Sequence, residues 1–182
     1  MDTLAWLFFS DKQLNAAEDA AARVIASLPE QGEEFRLCEA HRLLGRIHHS
    51  KHVREKAIHH FQIALEIASA SNLHHQLFWI HYELALLFRG QDEFDDAHDH
   101  IEQAKSHAVD DAYYLGCAMK MHAEIWYRQE RLDDARSEVL HAIKTYEKLG
   151  LSEDIEDCRD LLGRIENLST SRGSRSASEL LK

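Results

Sequence analysis

Apolar residues along this chain recur at helical spacing and, on a longer scale, at a fixed period. Leu44-Gly45-Arg46-Ile47 is followed by Ala57, Phe61 and Ala64. The same skeleton returns at Leu84-Ala85 with Phe88, Ala97, Ile101 and Ala104, and at Ala123 with Trp126, Ala135, Val139 and Ala142. Leu162-Gly163-Arg164-Ile165 opens it a last time. Small residues at 5, 45, 85, 123 and 163 set spacings of 40, 40, 38 and 40. A period of this size implies supersecondary units that bury their apolar faces against one another rather than around a single closed core.

Each period divides into an A and a B helix. The second unit predicts helices over Glu33–Ser50, with Leu37, Leu43, Leu44 and Ile47 inward, and over Val53–Ala70, with Ala57, Phe61, Ala64, Leu65 and Ile67 inward. The third pairs Leu73–Arg89 with Glu93–His107, and the fourth pairs Asp111–Gln129 with Leu132–Leu149. The first pairs a short Thr3–Phe9 with Lys12–Leu28. Its A helix lacks a first turn, as expected of a chain cut from a longer protein. A lone A-type helix, Glu153–Leu168, caps the array. The expected architecture is all-α, a right-handed α-solenoid of four helix pairs plus a C-terminal capping helix. Its units lie at about 1–32, 33–72, 73–110 and 111–150, with the cap at 151–168. Residues 169–182, rich in Ser, Gly and Arg, are expected to form a flexible tail. The recurrent small residues are expected where an A helix closes on a B helix: Gly45, Ala85, Ala123 and Gly163 on one side, Ala57, Ala97 and Ala135 on the other.

Composition supports a helical reading. The 182 residues contain one proline, Pro29, and seven glycines. A net charge of -11 argues against nucleic-acid binding, which needs a basic surface. No apolar run is long enough to span a bilayer. Cys38, Cys117 and Cys158 cannot all pair within the chain, and none forms a CxxC. They read as reduced apolar residues of a cytoplasmic protein.

The repeated skeleton resembles the tetratricopeptide repeat: small at the eighth position, aromatic at the eleventh, small at the twentieth, bulky at the twenty-fourth and small at the twenty-seventh. The likeness runs from Leu4 to Leu168. It departs at His48 in the eleventh position, at His41, His81 and Met119 where the fourth-position Trp would stand, and in lacking the closing Pro. The longer period resembles repeats of signalling ATPases and kinesin light chains. The run Phe94-Asp95-Asp96-Ala97-His98-Asp99-His100-Ile101-Glu102-Gln103-Ala104, with Tyr146-Glu147-Lys148-Leu149-Gly150, is similar to C-terminal arrays of basidiomycete fungal NACHT or NB-ARC (STAND, NLR-like) signalling ATPases. That resemblance implies a sensor or scaffold end beside a nucleotide switch, although this chain has no GxxxxGK[ST] loop.

In the tetratricopeptide family the A helices line a concave groove. The register then assigns to it Arg42, Arg46, His49, Trp79, Tyr82, Glu83, Arg89, Lys120, Glu124, Tyr127 and Arg128. A groove of this composition would bind a protein or peptide carrying acids. The competing expectation is a set of solvated helix faces with aromatics packed between repeats. The positions of the chaperone-tail carboxylate clamp read Arg42, Arg46, Tyr82 and Leu86 and do not match it. Fourteen histidines include His48 and His52 at i,i+4, a possible ligand pair if a third donor converges. The expectation is no metal and no cofactor. Asp95-Asp96-Ala97-His98-Asp99-His100 could suggest a metal-dependent hydrolase, but Ala97 is a packing residue and its neighbours lie on different helix faces. The function expected is non-catalytic protein interaction, with a free-standing adaptor as the alternative to the sensor end of an ATPase.

Overall fold

The computed structural model of the chain describes residues 3–28, 32–108 and 111–179, with side chains from Leu4 to Arg172. Pro29 and the last three residues of the expected tail lie outside them. The described residues form helices only, and they divide into two compact units, residues 1–87 and 88–182. The first contains α1 (Thr3–Ser10), α2 (Leu14–Ser27), α3 (Glu34–Ser50), α4 (Arg54–Ala70) and most of α5 (His74–Arg89). The second contains α6 (Phe94–His107), α7 (Ala112–Arg128), α8 (Leu132–Leu149) and α9 (Ser152–Glu179).

One turn geometry ends each of the A helices α1, α3, α5 and α7. Lys12, His52, Asp92 and Glu130 adopt φ of 60°, 58°, 60° and 61°. Each stands seven residues beyond the small position of its unit, so the backbone repeats with the period of the sequence. The following amide reaches back to the carbonyl at the eleventh repeat position: Gln13 to Phe8 at 2.8 Å, Val53 to His48 at 2.9 Å, Glu93 to Phe88 at 3.1 Å and Arg131 to Trp126 at 2.9 Å. The left-handed residue's own amide donates to the carbonyl three back, in Phe9, His49, Arg89 and Tyr127. These two bonds define the Schellman motif, which satisfies carbonyls a helix end would otherwise leave open. Asn72 and Gly150 make the same pair of bonds after α4 and α8.

Small residues admit the facing helix at Gly45, one of the expected positions, and at Gly116, which was not among them. A Cβ on Gly45 would stand 2.6 Å from the Phe61 ring, and one on Gly116 would stand 2.7 Å from Tyr146. Ala57, Phe61 and Ala64 in the first unit are buried, as are Ala97, Ile101, Ala104, Ala135, Val139 and Ala142 in the second. Gly163 differs: nothing lies within 4 Å of its would-be Cβ, because no B helix follows α9 among the described residues.

The final helix runs to Glu179, through the segment expected as a flexible tail. Serine and threonine there satisfy themselves locally: Thr170 Oγ1 donates to the Glu166 carbonyl at 2.9 Å and Ser171 Oγ to Asn167 at 2.8 Å. Arg136 approaches Glu166 at 3.7 Å, and Arg172 pairs with Glu130.

Gly45→Ala is expected to lower Tm, at a cost of roughly 1–3 kcal/mol for overpacking. Gly163→Ala should raise it, by up to about 1 kcal/mol of helix propensity. Thermal melts of the pair check this, and equal shifts would refute the packing contrast. Lys12→Gly and Glu130→Gly relieve a left-handed conformation that costs an L residue roughly 1–2 kcal/mol, partly offset by the chain entropy glycine adds. Both should raise Tm, and Asp92→Gly less, since Asp tolerates that region better.

Candidate functional site

In the first unit the expected groove residues are drawn into an internal charge cluster. Arg42 is 8% exposed and Glu39 4%. The Arg42 guanidinium donates to both Glu39 carboxylate oxygens at 3.0 Å, a bidentate pair, and reaches Glu83 at 3.5 Å. Arg46 contacts the same Glu83 oxygen at 3.1 Å. Trp6 backs both arginines, at 5.1 and 5.0 Å, and Phe9 lies 4.7 Å from Arg46. Burial raises the Glu83 carboxyl above its ordinary value, although Arg46 and Arg42 pull the other way. Arg42 is therefore inside the fold, where two carboxylates hold it. His49 shares an open concavity with Arg46, Glu83, Phe9 and Leu86. Trp79 and Tyr82 form an aromatic patch with Phe78 on α5, with ring centroids 5.0 to 6.0 Å apart.

In the second unit Arg89, Glu124, Tyr127 and Arg128 come together around another concavity, joined by Arg164 from α9. Glu124 pairs with Arg89. Arg128 donates to the Arg89 carbonyl at 2.8 Å and lies 3.9 Å from Asp92. The Arg164 guanidinium sits 5.4 Å from the Tyr127 ring centroid. Lys120 is not part of this group; it ties α7 to α9 through Asp157 at 2.6 Å. Sequence reasoning overlooked Glu39, Trp6 and Phe9 in the first unit and Arg164 in the second. Arg164 was accessible, since Leu162-Gly163-Arg164-Ile165 repeats the register of Leu44-Gly45-Arg46-Ile47. Glu39 was accessible as the i-3 neighbour of Arg42.

The histidines join helices. His52 follows the end of α3 in a left-handed turn, so His48 and His52 do not form a pair along one helix face. His48 instead stacks on His60 at 5.3 Å, and His41 and His60 meet through Nδ1 atoms 3.1 Å apart. In the second unit the Lys105 ammonium donates to His122 Nδ1 at 2.6 Å. A donor there fixes the tautomer: His122 Nε2 carries the proton toward His98 Nδ1 at 2.9 Å, and His98 Nε2–H donates to Gln129 Oε1 at 2.9 Å. Glu138 pairs with Lys105 and lies 3.3 Å from His122 Nδ1; against the opposing effect of burial, these neighbours bring its carboxyl down to about 2. Trp126 covers His98 at 3.8 Å.

The acidic run of α6 diverges. His98 faces His122 and Trp126, His100 stacks on Phe88 at 5.3 Å, Ala97 is buried, and Asp95, Asp96 and Asp99 are exposed. No group of three or more metal-ligating side chains converges among the described residues. The three cysteines are free thiols. Burial pushes Cys38 up to about 12 and Cys158 to about 11, away from the thiolate a reactive cysteine needs. No described helix is long and apolar enough to cross a membrane.

Burial holds His41, His48, His49, His98 and His100 below the ordinary imidazole value, and His60 down to about 4. A base whose folded-state pKa is depressed takes up fewer protons when folded. Its stabilisation is full above the unfolded value of about 6.5 and drains as pH falls toward the folded one. Glu83, raised by burial, acts in the opposite sense as a single group. Tm should therefore fall between pH 7 and pH 5, and His60→Phe should flatten the slope. A melt series independent of pH over that range would contradict this.

Residues 36–107 match the family model described as Tetratricopeptide repeat. No curated protein matches the chain significantly. Among similar solved structures is the crystal structure of BtubC (BKLC) from P. vanneervenii. It is 18% identical, with a TM-score of 0.66, over 92% of this chain and 78% of that one. Periodic helix pairs, a repeat match at residues 36–107 and this structural likeness establish an all-α fold of the α-solenoid, helical-repeat class.

Proposed function

We propose that the chain is a non-catalytic interaction module, a scaffold that binds a protein or peptide in the groove lined by its A helices. One contrast carries the reading. The inward sides of the B helices are consumed by packing at Ala57, Phe61, Ala97, Ile101, Ala135 and Val139, whereas the A helices present partly exposed aromatic and charged residues, Trp79 and Tyr82 in one unit and Tyr127 and Arg128 in the other. Tetratricopeptide repeats generally mediate protein–protein contacts, and the match at residues 36–107 supports that role here. The acidic chain disfavours a nucleic-acid partner. The finer assignment, as the sensor end of a fungal signalling ATPase in the cytoplasm, rests on the sequence resemblance alone; a free-standing adaptor uses the same surface.

Arg42 is a poor probe of this surface, because reversing a buried paired charge destabilises the fold itself, and the partly exposed Arg46 is already paired with Glu83. Photo-crosslinking residues placed at His49, Trp79, Tyr127 and Arg128 should capture a common partner in the native host. The same residue at Gln62 or Gln103, exposed on the B helices, should not. Equal capture from both faces would overturn the assignment.

A further inference from the structure

The two units balance their groove cations differently. In the first, Arg42 and Arg46 face Glu39 and Glu83, two guanidiniums against two carboxylates. In the second, the concavity holds Arg89, Arg128 and Arg164 against Glu124 alone. Glu124 is committed to Arg89. Arg128 uses one N–H on a backbone carbonyl, and its approach to Asp92 is a 3.9 Å contact between side chains 46% and 66% exposed, which water screens. Arg164 makes no ion pair among the described residues; its one recorded partner is the Tyr127 ring. Stacking on that ring orients a planar guanidinium and leaves its N–H fork for a ligand.

Resting on the interaction-module reading, we infer that this concavity is an acid anchor: it takes an Asp or Glu side chain of an extended partner segment, with Arg164 and Arg128 as the donors. A carboxylate matches the guanidinium fork bidentately. The surplus is local, in a chain of net charge -11, so one or two acids are accommodated where a polyanion would be repelled by the whole. That selects a peptide side chain over nucleic acid. The Lys120–Asp157 contact and the buried Cys158, Leu161 and Ile165 hold α9 on its neighbours, so Arg164 is presented from a packed helix. The first unit offers no such surplus, and the acid preference of the protein resides in the second.

The full chain is used to select from a displayed library of random twelve-residue peptides, and enriched peptides are resynthesised for anisotropy titration. The enriched set is expected to share an Asp or Glu at one position. Changing it to Asn or Gln should weaken binding at least tenfold. Arg164→Gln and Arg128→Gln should each weaken the acidic peptide about tenfold and leave its amide version unaffected. Arg164→Lys should recover only part, since an ammonium cannot present a fork. Arg136→Gln, an exposed arginine on α8, serves as the unaffected control. Arg164→Glu should prefer the peptide with Lys at the acid position, a charge swap that misfolding cannot mimic. Enriched peptides without a shared acid, or acid-dependent binding indifferent to Arg164 and Arg128, would overturn the anchor and leave the module reading standing. No enrichment by a chain with an intact melt would overturn both.

Discussion

The structure depends on how its A helices stop. A helix pair needs the chain to reverse within a few residues without leaving carbonyls open, and the left-handed residue with its two back-bonds achieves this at Lys12, His52, Asp92 and Glu130. The long back-bond ends on the carbonyl of Phe8, His48, Phe88 or Trp126, the eleventh repeat position. That residue is half-buried or buried, so the side chain that fills the interhelix space also fixes where the backbone turns. The amide donor of this bond then opens the B helix without a side-chain cap at Gln13, Val53, Glu93 and Arg131. Stop and start are one device, which is why the period survives large changes in side chains. Phe at position eleven becomes His48 without moving the turn.

The helices were legible because both scales of periodicity are carried by buried residues, whose identity is constrained. Predicted and observed ends agree closely at α3 through α8, where a Schellman turn or Asp111 accepting from the Tyr113 and Tyr114 amides defines them. The left-handed residues were not legible. None of the four A-helix stops is glycine, and Lys, His, Asp and Glu carry no common signal. The last helix was expected from Glu153 to Leu168, but its continuation to Glu179 was missed for the opposite reason: composition spoke for a coil, and hydroxyls bonding back to their own helix removed the usual objection to serine there.

Proximity was partly legible. Register put Arg89, Glu124, Tyr127 and Arg128 on one side of the A helices, and the structure brings these four around one concavity. Register says nothing of ion pairing. Arg42 and Arg46 look like free cations in sequence, yet Glu39 lies one turn back on the same helix and Glu83 reaches them from α5. An arginine this well held cannot be offered to a partner without breaking a bidentate pair, and the partner would have to repay that loss. Cationic residues at equivalent repeat positions thus differ in role according to the acids their own unit supplies.

Arg46 and Arg164 make the point within one motif. They occupy the same place in Leu44-Gly45-Arg46-Ile47 and Leu162-Gly163-Arg164-Ile165. Gly45 is closed on by Phe61, and Arg46 is held by Glu83 from α5, a later A helix of its unit. Gly163 meets nothing, and no A helix follows α9 among the described residues to supply an acid to Arg164. Among the described residues α9 therefore carries two unengaged features at once: a small residue with no helix packed on it, and a cation with no acid paired to it. Packing loses little by the first, since the core beside α9 is already filled by Cys158, Leu161 and Ile165. The second leaves a guanidinium seated on Tyr127, where recognition of an anionic group costs no internal ion pair.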